Sequence, residues 1–161
     1  MKEVIIMKRG ISFEIPNKYG NFLGKILKPI EMSKLNWHVE NVESYLVVKD
    51  QLADELFPQQ LNGMAGMGLR DYLENNTYYL IFADLKAFPS GESLRNVETY
   101  EEFVNSKCQL VLLIVDSAYV TIYCKEKEDI ESLYQNAKSL GFENIQYITD
   151  DHDTRTRLSV W

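Results

Sequence analysis

Reactive side chains are scarce in this chain of 161 residues, which has two cysteines and two histidines. Cys108 and Cys124 are too few for a secreted disulfide framework and lack the spacing of a zinc site. They are read as buried thiols in strand-like runs, neighbours across a hairpin if the chain turns near Asp116 and Ser117. Any mechanism with an imidazole base must use His38 or His152. Long apolar runs are also missing. Leu110–Val115 holds six apolar residues, whereas a membrane helix needs about 20, so no membrane span is expected. Near the N-terminus only Val4, Ile5, Ile6 and Met7 separate Lys2 and Glu3 from Lys8 and Arg9, which is no secretion signal. A cytoplasmic protein is expected, with residues 1–6 a loose extension and Met7 an alternative start. No G-x-S-x-G elbow, P-loop, dinucleotide fingerprint or H-E-x-x-H occurs, which favours a binding role over an enzymatic one.

What is present is ordinary in kind and uneven in place. Hydrophobic residues at 45% and charged residues at 25% suit a globular chain, and the length suits one domain over 1–161. The net charge of −7 is segregated. Residues 1–34 carry seven Lys or Arg against three Glu, a balance of +4, whereas residues 126–153 carry eight acids against Lys127 and Lys138, a balance of −6. Such an acidic segment repels phosphate backbones, so nucleic acid is not an expected partner. It is either a solvated helix face or a surface for a basic protein partner, carried by Asp129, Glu131, Asp150 and Asp151.

Periodicity outlines an α+β fold. Residues 8–15 alternate Arg9, Ile11, Phe13 and Ile15 against Lys8, Gly10, Ser12 and Glu14, a strand with one wet face that Pro16 ends. Tyr19, Phe22, Leu23, Ile26 and Leu27 then fall at helical spacing. Residues 35–40 and 44–48 read as two strands with a turn at Asn41, 50–57 as a helical turn, and 63–75 as a glycine loop running into a helix. Residues 77–83 are a strand apolar on both faces, and 88–96 a long exposed loop. Thr99 and Glu102 form a capping box before a short helix. Strands at 108–115 and 118–124 precede the clearest helix, 128–140, whose Ile130, Leu133, Tyr134, Ala137 and Leu140 make one stripe with Gly141 as cap. Residues 144–149 and 157–161 read as strands. Close hairpins require antiparallel pairing, so a mostly antiparallel sheet with helices mainly on one face is expected. Its core includes Ile11, Phe13, Leu80, Phe82, Leu112, Ile114, Ile122, Ile130, Leu133 and Ala137.

Two local patterns carry candidate chemistry. Gln60, Gly63 and Ala65 satisfy Q-x-x-G-x-A, the loop with which GNAT acetyltransferases present backbone N–H groups to the acetyl-CoA pyrophosphate, and Gly66 and Gly68 would extend it. The long gap from Val48, the bulky Met64 and Met67, and the lack of a basic residue before Arg70 argue for a structural loop, so no cofactor is expected. Asp150, Asp151, His152 and Asp153 are rich in potential ligands, but hard-cation loops space their carboxylates at alternate positions, so a solvated acidic turn is expected. His38, between Trp37 and Val39, reads as a hydrogen-bonded strand residue. The ten tyrosines and two tryptophans suit either the core or an interface.

The run Met7-Lys8-Arg9-Gly10-Ile11-Ser12-Phe13-Glu14-Ile15-Pro16-Asn17-Lys18-Tyr19-Gly20, with Asn36-Trp37 downstream, resembles a family of small proteins from Bacillus and related bacteria known as a domain of unknown function. The resemblance covers nearly the whole chain from Met7. It implies a Gram-positive cytoplasm and supplies no activity, cofactor or catalytic residue. A non-enzymatic protein that meets a basic partner, of which an immunity or antitoxin-like role would be one case, is therefore the leading expectation.

Overall fold

Two tight turns set the frame of the sheet. Lys49 and Asp50 have φ of 54° and 60°, and Asp116 and Ser117 have φ of 52° and 67°. Paired left-handed residues are the mark of a type I′ hairpin, whose twist matches that of the strands it joins. The computed structural model describes residues 6–57, 61–95 and 97–160, except for the side chains of 41, 42, 61 and 62. Its elements are β1 (Lys8–Glu14), α1 (Phe22–Ile26), a 3-10 turn (Met32–Lys34), β2 (Leu35–Val48), β3 (Gln51–Glu55), β4 (Leu61–Ala65), α2 (Gly66–Glu74) and β5 (Tyr78–Pro89). Then follow α3 (Tyr100–Asn105), β6 (Leu110–Val115), β7 (Tyr119–Cys124), α4 (Lys127–Ser139) and β8 (Glu143–Thr149). The eight strands form one sheet in the order β3-β2-β5-β6-β7-β1-β8, with β4 also paired to β2. Every strand pairing is antiparallel. No helix among the described residues is long and apolar enough to cross a membrane.

The strand alternation divides the core in two. Leu110, Leu112 and Ile114 of β6 join Ile11, Phe13, Ile122, Trp37 and Leu85 in a first cluster, whereas Val111 and Leu113 join Phe88, Val97, Phe103 and Leu158 in a second. Helices α1, α2 and α4 contribute to the first cluster, through residues such as Leu23, Leu69 and Leu133, and α3 contributes Phe103 to the second. On α4, Ile130, Leu133 and Ala137 form the buried stripe. The helix ends in a Schellman motif. Gly141, at φ 77°, donates to the Lys138 carbonyl and Phe142 to that of Ala137, which satisfies two otherwise open carbonyls. At α3 the Thr99 hydroxyl accepts from Glu102 N–H at 3.1 Å, while the Glu102 carboxylate accepts from Glu98 N–H.

Several local expectations are corrected. The turn at Asn41 is absent: β2 is one strand of 14 residues that absorbs the irregularity as register shifts between Glu40 and Ser44. Residues 51–55 form an exposed edge strand instead of a helical turn, because the Lys49–Asp50 turn folds them back on β2. The start of the glycine loop is a strand, β4. Strand β5 runs on to Pro89 and takes Phe88 from the expected loop into the second cluster. Phe82 is only half-buried, whereas the other nine expected core residues are buried. At the C-terminus the strand-like pairing is an isolated bridge between Thr99 and Arg157.

Candidate functional site

Charged residues lie in the middle of the sheet. Over residues 83–88 strand β5 is buried on both faces. Ala83, Leu85 and Ala87 face the first cluster, so Asp84 and Lys86 share the other face with Phe88. Lys86 Nζ donates to Asp84 Oδ1 at 2.9 Å and Oδ2 at 3.1 Å, and the two side chains are 3% and 2% exposed. On β6 they stand opposite Val111 and Leu113, both fully buried. On β2 they stand opposite His38 and Glu40, whose Nε2 and Oε1 lie 3.3 Å apart. The array thus sets Glu40 beside Asp84 and His38 beside Lys86 across the strands, with acid and base paired only along each strand, and it opens towards solvent at Glu40, 38% exposed, and closes at Lys86.

The electrostatics of the array are dominated by desolvation. Burial pushes the Asp84 carboxyl above its ordinary value, Lys86 pulls it back, and Glu40 adds to the rise. A buried ion pair recovers its desolvation cost only when geometry is good and the remaining hydrogen-bonding capacity is filled. Among the described residues the Lys86 ammonium has Asp84 as its hydrogen-bond partner, and its other neighbours include apolar β6. Residues 97–98 and 156–158 strap the second cluster: Leu158 N–H donates to the Glu98 carbonyl at 2.7 Å and Tyr100 N–H to that of Thr156 at 2.9 Å. The sequence pattern ends the strand at Ala83 and assigns Asp84 and Lys86 to no element. That array was missed because the chain covering it lies more than ten residues away in sequence.

The expected partner surface is only partly open. Glu131 accepts from Lys8 at 2.6 Å and from the Tyr147 hydroxyl at 2.7 Å, which hold its carboxyl below the usual range. Asp150 pairs with Arg9 at 2.6 Å, and Asp151 accepts from the Thr149 hydroxyl at 2.6 Å. Asp129 has no salt bridge among the described residues, and its carboxyl is pushed up by burial and then by Glu126 and Glu128. The basic and acidic ends of the chain are therefore neighbours, joined where β1 pairs with β8. The acids around His152 diverge. Asp153 takes Arg9 at 3.1 Å and the Tyr123 hydroxyl at 3.0 Å, while His152 faces Asp151 at 3.4 Å. Among the described residues no three His, Cys, Asp or Glu side chains converge to hold a metal ion.

The acetyl-CoA loop is corrected. Gln60 lies outside the described residues. Gly63 and Ala65 belong to β4, while Gly66 and Gly68 form the first turn of α2. A Cβ on Gly66 would sit 1.9 Å from the Met32 carbonyl oxygen, so the backbone of the 3-10 turn closes the helix start that a pyrophosphate would need. Met64 packs against the core whereas Met67 is exposed. Among the described residues every strand pairing is antiparallel, with no splayed parallel strands for a pantetheine arm. Arg70 is structural. Its guanidinium donates to the carbonyls of Leu27, Lys28 and Ile30 at 3.2, 2.9 and 2.8 Å, closing the end of α1. The two cysteines are free, buried and in different clusters, with thiols pushed up to about 12 by burial.

A Bacillus subtilis (strain 168) protein described as uncharacterized protein YncE is 51% identical to this chain over 154 residues, which is 96% of this chain and 100% of the relative. No solved structure matches the chain. The family described as protein of unknown function DUF2691 matches residues 8–159, and the chain belongs to that family.

Proposed function

We propose that the protein is a non-enzymatic binding protein whose recognition centre is the His38, Glu40, Asp84 and Lys86 array. One observation carries this reading: a full ion pair, at most 3% exposed, sits in a central strand beside an apolar one. Replacing such a pair by apolar residues of similar volume is often neutral or stabilising by about 1–4 kcal/mol, so a fold has little need of it. A recognition site does, because a desolvated charge discriminates strongly among the groups it meets. The Asp84→Leu/Lys86→Met double variant tests this. It is expected to fold and to resist urea at least as well as the parent, while losing the thermal stabilisation that a small-molecule extract from the native host gives the parent. A double variant that is several kcal/mol less stable, or one still stabilised by the extract, would make the array structural.

The acidic surface gives a second reading, with a basic protein as partner. Its support is Asp129, crowded by Glu126 and Glu128 without a salt bridge among the described residues. Changing Asp129, Glu131, Asp150 and Asp151 to Asn or Gln should abolish a salt-sensitive capture from native lysate, and capture that persists would remove the reading. The two buried thiols fit a reducing cytoplasm in either case.

A further inference from the structure

At the opposite end of the sheet from β3, the start of β1, the end of β7, α3 and the start of α4 enclose a groove of about 330 Å³. That is within the range of roughly 300–1,000 Å³ typical of small-ligand sites. Four cations line it: Lys8, Arg9, Lys125 and Lys127. Two of them are occupied. Lys8 pairs with Glu131 at 2.6 Å, and Arg9 with Asp150 at 2.6 Å and Asp153 at 3.1 Å, so Asp150, the one acid in the lining among the described residues, is already matched.

The other two cations have no carboxylate. Lys125 Nζ donates to the Ser106 carbonyl at 2.5 Å and lies 5.1 Å from the Phe103 ring centroid, and Lys127 Nζ meets Met7 Sδ at 3.7 Å. Among the described residues neither enters a salt bridge, although the chain has 24 acids to 17 bases and Glu126 and Glu128 flank Lys127. Burial, with some repulsion from Lys107, holds the Lys125 amine below its ordinary value, and an anion placed beside it would relieve that tension. The rest of the lining is apolar and partly wet: Val104 is 51% exposed and Met7 40%. A smaller recess sharing Met7, Lys8 and Lys127 extends the apolar strip to Ile6 and Ile130.

We infer that this groove binds a small organic anion, whose carboxylate or phosphate meets Lys125 and Lys127 and whose apolar body lies on Met7, Phe103 and Val104. Charge complementarity and wet apolar wall demand both halves of such a ligand. Inorganic phosphate lacks the body, and a neutral amphiphile lacks the charge. The site is separate from the array of β2 and β5, and neither proposal depends on the other.

Titration calorimetry on the whole chain tests it with octanoate, phenyl phosphate, inorganic phosphate and octanamide, supported by amide chemical shifts. At least one organic anion should bind about ten-fold more tightly than inorganic phosphate and octanamide, with shifts centred on Val104, Lys125 and Lys127. Which one binds identifies the anionic group. Lys127→Met and Lys125→Met should each weaken that binding about ten-fold, and Lys138→Met, on the last turn of α4, should not. Lys127 is exposed, so its variant is informative even if the Lys125 variant folds poorly. Failure of both organic anions to saturate at millimolar concentration, equal binding of octanamide or inorganic phosphate, or unchanged binding in Lys127→Met would overturn the inference.

Discussion

Two sets of ion pairs, one in the centre of this sheet and one near its β8 edge, obey different physics. In the centre, where β5 pairs with β2 and β6, Lys86 and Asp84 are almost wholly buried, and burial pushes the carboxyl up against the pull of its partner. At the β1–β8 end, Lys8 meets Glu131 with both side chains more than 40% exposed, and the hydrogen bonds from Lys8 and Tyr147 pull the carboxyl down. A carboxyl facing a lysine thus shifts up in one region and down in the other. In the first region desolvation exceeds attraction, and in the second little is desolvated, so attraction decides. A buried pair constrains its neighbours strongly and stabilises weakly, whereas an exposed pair does little of either.

The largest expected effect comes from breaking the buried pair on one side only. Lys86→Met leaves the Asp84 charge without its partner in an apolar setting and should cost about 3–5 kcal/mol in urea unfolding. A loss below about 1 kcal/mol would show that Asp84 simply takes up a proton or reaches solvent, and the contrast between the two regions would vanish. Leu112→Ala supplies the apolar yardstick. Leu112 is fully buried on β6 between Leu85 and Ile122, and truncation should cost about 2–5 kcal/mol. If the lysine variant loses less than this one, the pair is not the dominant constraint on that part of the sheet.

A third and smaller effect lies in the pH profile. The folded protein holds the Asp84 proton more tightly than the unfolded chain does. Between the ordinary carboxyl value of 3.8 and the raised folded value the native state therefore binds more protons, and its stability falls as pH rises through that window. Measured as melting temperature against pH, the parent should lose stability there relative to the Asp84→Leu/Lys86→Met double variant. A parent that gains stability over the same window would mean that Lys86 overcomes the burial.

Which parts were readable from sequence follows from the range of the forces involved. The Asp116–Ser117 hairpin, the helix of Ile130, Leu133 and Ala137, and the cap at Gly141 depend on neighbours within about four residues, and the structure keeps all three. Strand β2 was divided at Asn41 because a polar, turn-prone residue there signals a break, yet pairing with β5 along nearly its whole length carries the strand through. Strand β3 has no inward face, so its residues give no period-two signal at all. Asp84 and Lys86 lie beyond the strand expected at 77–83, and nothing local marks them as buried. They share a strand face with Phe88 of the second cluster, whose Val97, Phe103 and Leu158 come from distant segments that no local pattern announces. The groove cations gave a faint signal in Lys125-Glu126-Lys127, a basic pair inside the acidic third of the chain, but its meaning depends on Met7 arriving from the other terminus.

The smallest expected effect belongs to the exposed pair, and it is the one that isolates the sign of the comparison. Glu131→Gln keeps the size of the side chain and an oxygen for Lys8 and Tyr147, but removes the titratable charge. The parent carboxyl is held below its ordinary 4.5 in the fold, so its contribution is present above that value and is lost as the pH falls through the lower, folded one. The variant should therefore match the parent closely at neutral pH and high salt, where exposed pairs are screened. Its melting temperature should decline less than that of the parent on acidification. This slope is opposite to the one Asp84 gives, and it should shrink as salt is added, whereas the Asp84 slope, buried from the ions, should not. Parallel slopes for the two sites, or equal salt sensitivity, would mean that the centre and the edge of the sheet see the same effective dielectric and that the apolar cover over Asp84 does not exclude solvent.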